Sequence, residues 1–219
     1  MTTPNIDLGR FGVFTWDPGS KFLDVGLAVT PEQAQEIERL GYSTLWISGA
    51  RAELLFAEPL LESTTALKVA TGIVNIWTAD AETVAESFQR INTARPGRFV
   101  LGIGAGHPEH TEQYRKPYDA LVDYLDELDE YGVPANQRVL AALGARVLRL
   151  AAERTAGAHP YNTTPEHSAQ AREIIGPNAL LAPEHKVLPI ADAQEALAVG
   201  RKVLNTYNYL NLTNITDRN

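Results

Sequence analysis

Apolar positions along this chain switch repeatedly between two periods. Short runs with apolar residues on both parities alternate with stretches that repeat every three to four residues. The pattern predicts strands over 8–16 (LGRFGVFTW), 42–48, 68–77 (KVATGIVNIW), 138–143 and 158–161, with another inside 179–189. The stretch 98–107, RFVLGIGAGH, predicts a further strand that opens on β-formers and ends in glycines and a histidine. Helices are expected over 30–40, 58–67, 80–93, 114–131, 145–156, 165–175 and 192–205. Thr30-Pro31 and Thr164-Pro165 read as helix starts, and Gly41, Gly157 and Gly176 as stops. In the helix over 114–131, Leu121, Leu125 and Leu128 share one face, and Asp123, Asp126, Asp129 and Glu130 read as a solvated surface.

Strands that are apolar on both faces and alternate with helices are parallel strands joined by right-handed crossovers. The expected fold is therefore α/β, a TIM (β/α)8-type barrel that is incomplete, with about seven βα units in one domain over 1–219. A doubly wound open sheet is the alternative. The Asn-rich tail over 205–219 carries no eighth strand. A natively reduced barrel, a shortened chain and staves supplied from elsewhere are three open explanations.

Composition narrows the partners. A net charge of −8 with no basic run argues against nucleic acid. The absence of cysteine excludes disulfides, thiolate metal sites and a cysteine nucleophile. No apolar run is long enough for a membrane helix, and the first residues lack a signal-peptide pattern, so a cytoplasmic location is expected.

In a barrel, chemistry collects where strands end. Those ends carry Trp16, Ser48-Gly49, Asn75-Ile76-Trp77, Gly104 and Gly106 before His107, Gly144, and His159. Flat aromatic side chains, small residues and a few polar handles suit a planar cofactor better than a metal, and no metal ligand set is expected. Alternate glycines at 102, 104 and 106 let a backbone, a helix or a flat ligand come close. Gly144-Ala145-Arg146 runs straight into a helix, whose first N–H groups and dipole favour an anion. Thr163 and Thr164 open the next helix, where their hydroxyls serve as caps or as phosphate ligands. The spacing of 102–106 fails the dinucleotide fingerprint, because its last glycine would fall on His107. No serine-hydrolase elbow is present.

Thr71-Gly72-Ile73-Val74-Asn75-Ile76-Trp77, Leu101-Gly102-Ile103-Gly104-Ala105-Gly106-His107, and Ala141-Ala142-Leu143-Gly144 followed by Leu148-x-Leu150-Ala151-Ala152-Glu153 carry a resemblance. In that order they resemble the bacterial luciferase-like monooxygenase superfamily, in its branch of deazaflavin (F-420)-dependent oxidoreductases. The resemblance implies a barrel that binds coenzyme F-420, or alternatively FMN, at the carboxyl ends of its strands. It implies a bulge with a non-proline cis peptide behind the ring, which by position would be Asn75-Ile76. It places the phosphate at Gly144, Ala145 and Arg146, with Thr163 and Thr164 next to it. Ser48 and Gly49 stand where relatives carry a polar or acidic group near the ring, leaving His107 and His159 as the titratable candidates for catalysis. Trp16 and Trp77 would line the substrate. The implied activity is hydride transfer between coenzyme F-420 and a small organic substrate in a homodimer. The alternatives are an FMN-dependent monooxygenase and a non-catalytic flavin-binding protein with a reduced barrel.

Overall fold

The computed structural model describes residues 7–16, 29–106 and 116–206. The chain alternates β1 (Gly12–Trp16), α1 (Pro31–Arg39), β2 (Thr44–Ser48) and α2 (Ala57–Ser63). It continues through β3 (Lys68–Thr71), β4 (Val74–Asn75), α3 (Ala81–Ala94) and β5 (Phe99–Gly104). Next come α4 (Pro117–Glu130), β6 (Arg138–Leu140), α5 (Ala145–Arg154) and β7 (Gly157–Ala158). The last elements are α6 (Pro165–Ile175), β8 (Leu180–Leu181) and α7 (Ala193–Thr206).

Every strand pair is parallel, and the ladder runs β1-β2-β3-β5-β6-β7-β8 with β4 beside β5. The order follows the sequence without reversal, which a doubly wound sheet would require. The sheet curls into a half-barrel with alternating helices, an incomplete TIM-type barrel. Among the described residues its free edges are β1 and β8, and no helix is long and apolar enough to cross a membrane.

Strand alternation builds two cores. Leu45, Ile47, Val69, Phe99, Leu101, Ile103 and Leu140 pack under the helices. Their neighbours Trp46, Ala70, Val100 and Val139 fill the inner face. The expected helix starts hold. Thr30 forms a capping box with Gln33, and Thr164 accepts from the His167 N–H.

Four expectations need correction. The third strand is not continuous over 68–77. The Thr71 hydroxyl donates to the Gly102 carbonyl (2.8 Å) and accepts from the Gly102 N–H (2.7 Å), so a side chain takes the place of ladder partners there. β3 therefore stops at Thr71 and pairing resumes only at β4. The non-proline cis peptide lies in that gap, at Gly72–Ile73, and not at Asn75–Ile76. Asn75 is instead a ladder residue opposite Gly104, and its Oδ1 accepts from the Trp77 N–H.

The acidic face of α4 is also more than a solvated surface. Asp126 and Asp129 both accept from Arg154 at 2.7 Å, and Asp129 pairs with Arg138, which is 1% exposed. α2 ends at Ser63, earlier than expected, because the Glu38 carboxylate accepts from the Thr65, Ala66 and Leu67 N–H groups and turns the chain into β3.

Candidate active site at the carboxyl edge of the sheet

Parallel strands bring all their carboxyl ends to one edge. The ends of β1, β2, the third stave (β3 and β4), β5 and β7 carry Trp16, Ser48, Gly72–Ile73, Gly104 and His159. Trp16 pairs in register with Ser48, and Gly49 follows with φ of +69°.

His159 is buried, with its imidazole flat on Trp46 and, farther off, against Phe14. Its Nδ1–H donates to the Ala182 carbonyl at 2.6 Å, which leaves the lone pair on Nε2. A Cβ at Gly72 would stand 3.0 Å from that Nε2 and 2.9 Å from Phe14, so only glycine fits between them without displacement. Burial, with a smaller push from the Lys186 charge, lowers the His159 pKa to about 4. The imidazole is thus neutral at neutral pH, able to accept a hydrogen bond but not to act as a protonated acid.

Beyond Gly72, Ile73 lies over Gly104, whose Cβ would meet Ile73 Cδ1 at 2.7 Å and Ala141 at 2.9 Å. A Cβ at Gly102 would stand 1.8 Å from the Thr71 carbonyl oxygen. These two glycines admit the third stave itself, not an open ligand face. Gly106, with φ of +59°, is exposed beside the Asn75 amide.

The second group gathers at the start of α5. Gly144 is its N-cap and offers no side-chain cap, so the first helical N–H groups lie outside the intrahelical ladder. A cleft of about 240 Å³ opens there, lined by Gly144, Ala145, Leu148, His167 and Ile174 among others. His167 donates through Nε2 to the Leu143 carbonyl at 2.9 Å, and its buried Nδ1 has no hydrogen-bond partner. The Thr163 hydroxyl is likewise buried and unpartnered, while Thr164 is engaged in capping α6. Arg146 turns the other way, with its guanidinium 3.5 Å above the Tyr118 ring and near Asp119.

Several expected residues do not join these groups. Ile76 and Trp77 pack on the helix side of the sheet, in a cleft between α3 and α4 shared with Asp80 and Tyr124. Trp77 Nε1 donates to the Ala105 carbonyl. His107 lies outside the described residues, and among those residues no three acidic or histidine side chains converge as a metal site.

Sequence reading missed His167 as a site residue, and it missed Glu184 and Lys186. The chain past β8 sets Ala182, Glu184 and Lys186 at alternate positions, a strand-like spacing too short to be read without its partner. Glu184 is buried and bridged to Tyr161, and it pairs with Lys186; one of its oxygens has no partner. Burial pushes its pKa up against the opposing pull of Lys186. Lys186 Nζ also sits 5.2 Å above Phe14 and 5.0 Å above Tyr161, linking the β8 side of the sheet to β1.

A parallel half-barrel with aromatic side chains, close-packed glycines and an uncapped helix start on its carboxyl edge is an α/β architecture of the TIM-barrel class. Residues 10–131 match the luciferase-like monooxygenase family model, and the chain belongs to that family. It is 30% identical over 118 residues to the N-acetyl-S-alkylcysteine monooxygenase of Bacillus subtilis strain 168. That match covers 47% of this chain and 35% of the relative, so it spans about a third of that protein. Among solved structures, the coenzyme F-420-dependent tetrahydromethanopterin reductase of Methanopyrus kandleri superposes with a TM-score of 0.66 at 15% identity, over 90% of this chain and 71% of that one. The oxygenating constituent of 3,6-diketocamphane monooxygenase of Pseudomonas putida, in complex with FMN, superposes with a TM-score of 0.61 at 16% identity, over 80% and 65%.

Proposed function

We propose that this chain is the barrel of an oxidoreductase that holds a flavin-type cofactor, coenzyme F-420 or FMN, along the carboxyl edge of its sheet. The observation that carries this reading is the interruption of the third stave at Gly72–Ile73. There a residue without a side chain faces Phe14 and the Nε2 edge of His159 at the strand ends. The residues present fit the two ends of such a group. Ile73 and the inner aromatic cluster of Phe14, Trp46 and His159 offer an apolar bed for a planar ring. The uncapped start of α5, at Gly144 and Ala145, suits its phosphate.

When bound, the cofactor supplies the redox chemistry. The protein orients it, excludes water with the inner aromatic side chains, and places the neutral His159 as a hydrogen-bond acceptor. The F-420 reading, hydride exchange with a small organic substrate, takes support from the Methanopyrus neighbour. The FMN reading, a monooxygenase, takes support from the Pseudomonas neighbour and the Bacillus relative.

A fluorescence titration of the purified chain with each cofactor tests the proposal. Saturable binding of either one, weakened at least tenfold by Gly144→Leu, is the expected result. Failure of both to bind overturns it.

A further inference from the structure

We infer that Lys186 selects the substrate of the site proposed above, its ammonium taking the carboxylate of a small organic acid. The inference rests on the reading of a cofactor at the carboxyl edge and deepens it, by naming the substrate class and the residue that recognises it.

Side chains from three staves fix this ammonium at the carboxyl edge. Lys186 Nζ stands over the ring of Phe14, on β1, and over that of Tyr161, which follows β7. It also pairs with the Glu184 carboxylate, in the segment after β8. Glu184 is itself anchored, because its side chain is buried and its backbone N–H donates to the Pro160 carbonyl at 2.8 Å. Phe14 ties the ammonium to the proposed cofactor bed. Its ring packs on the inner-face cluster, and a Cβ at Gly72 would meet it at 2.9 Å. The Lys186 charge is also felt at His159, where it adds to burial in opposing protonation.

An ammonium carries three N–H donors. Among the described residues only Glu184 accepts from Lys186, so two donors remain on a side chain that is 48% exposed. A cation serving only to join β8 to β1 has no need of that opening. The two rings attract the charge through their faces, yet those same faces repel an anion. A ligand therefore reaches the ammonium from its exposed side. A carboxylate answers both the open donors and the charge, and such charge-assisted bonds are about twice as strong as neutral ones. Glu184 competes weakly, because burial favours its neutral form. The cofactor phosphate has its own place at Gly144, after β6, two strands along the ladder from β8. This leaves Lys186 to the substrate.

The experiment titrates benzoate and benzamide, which share a flat body and differ in charge, with and without FMN. The proteins are the wild-type chain, Lys186→Met and Lys186→Arg, with thermal melts to report folding. The expected result is benzoate bound about tenfold tighter than benzamide. That margin should be lost in Lys186→Met and kept within about threefold in Lys186→Arg, while benzamide affinity stays within about twofold throughout. On 13C-lysine-labelled wild-type protein, benzoate should move the Lys186 Cε resonance and benzamide should leave it in place. This measurement decides the matter if a variant does not fold. Equal affinity for the two probes, or a margin unchanged in Lys186→Met, overturns the inference. A parallel loss of both probes in Lys186→Met also overturns it, since the ammonium would then only join β8 to β1. FMN binding weakened in Lys186→Met with riboflavin binding intact would assign the ammonium to the cofactor phosphate and overturn it too. If neither FMN nor coenzyme F-420 binds, the broader reading fails by itself, and the benzoate margin on the bare chain still decides whether Lys186 takes a carboxylate.

Discussion

The imidazole of His159 lies flat on the indole of Trp46, with ring centroids 4.1 Å apart and planes 9° from parallel. This contact joins the sixth stave to the second across the inner face of the half-barrel. It also makes the charged form of His159 expensive, because protonation would place a cation in a buried aromatic stack.

Stability should consequently fall in mild acid. The folded-state pKa of His159, about 4, lies below its ordinary value of 6.5. Between those values the unfolded chain binds the extra proton, so the stability present above pH 6.5 is lost as pH falls toward 4. The full span is worth about 3 kcal/mol. Burial of Glu184 works in the opposite sense, since its raised pKa favours the folded state at low pH. Urea midpoints measured from pH 7.5 to 4.5 should drop more steeply for the wild type than for His159→Phe. Parallel slopes would assign the acid sensitivity to other groups.

Gly102 and Gly144 should behave as opposites. An alanine at 102 places Cβ 1.8 Å from the Thr71 carbonyl oxygen and must push the third stave off the sheet. We expect a loss of about 3 kcal/mol or more, visible as insoluble expression or a collapsed melting temperature. At Gly144 no atom lies within 4 Å of the added Cβ. Gly144→Ala should fold with a cost below about 1 kcal/mol, and thermal denaturation of the two variants checks the contrast.

Arg138 depends on Asp129. Its guanidinium is buried beneath the sheet and is held by that carboxylate and by the Leu125 carbonyl. Burial alone would raise the Asp129 pKa, but Arg138 and Arg154 together hold it below the usual range. Asp129→Ala strands a buried cation and should cost about 3 kcal/mol in denaturant unfolding. Arg138→Met should cost less, because it removes the charge that needs a partner. Equal losses would mean that the pair itself, not the stranded charge, sets the cost.

Glu38 ends α2 from outside that helix. Burial would raise its pKa, yet the Ala66, Thr65 and Leu67 N–H groups bonded to its carboxylate bring it below the ordinary value. Glu38→Ala leaves three backbone donors without this acceptor and should cost about 2 kcal/mol. Amide hydrogen exchange at residues 65–67 should then accelerate. Unchanged protection there would show that water or another acceptor takes over.

Much of the architecture was legible from local pattern. Runs apolar on both parities, separated by helices with Thr-Pro starts and glycine stops, are enough to specify parallel strands and a curled sheet. This holds because each element is bounded by side chains acting on their own neighbours. The glycine-rich fourth stave and the Gly144 helix start were legible for the same reason. Long-range bonds were not. Nothing near residue 71 announces that a threonine hydroxyl will replace the ladder at Gly102, thirty-one residues away, and this contact decides where the third stave breaks. The loose motif resemblance placed that break at Asn75–Ile76, and the tertiary contact moved it to Gly72–Ile73.

The sequence by itself determined the class of fold, the carboxyl edge that its parallel strands share, and the uncapped helix start at Gly144, since these follow from periodicity and backbone rules. Only the tertiary structure decided which side chains meet there. It stacked His159 on Trp46 and lowered its basicity, turned Trp77 and Arg146 away, and brought His167 beside Gly144 with a bare nitrogen. Burial and partner choice belong to residues distant in the chain, and the energy of a polar group is set by those surroundings rather than by its own identity.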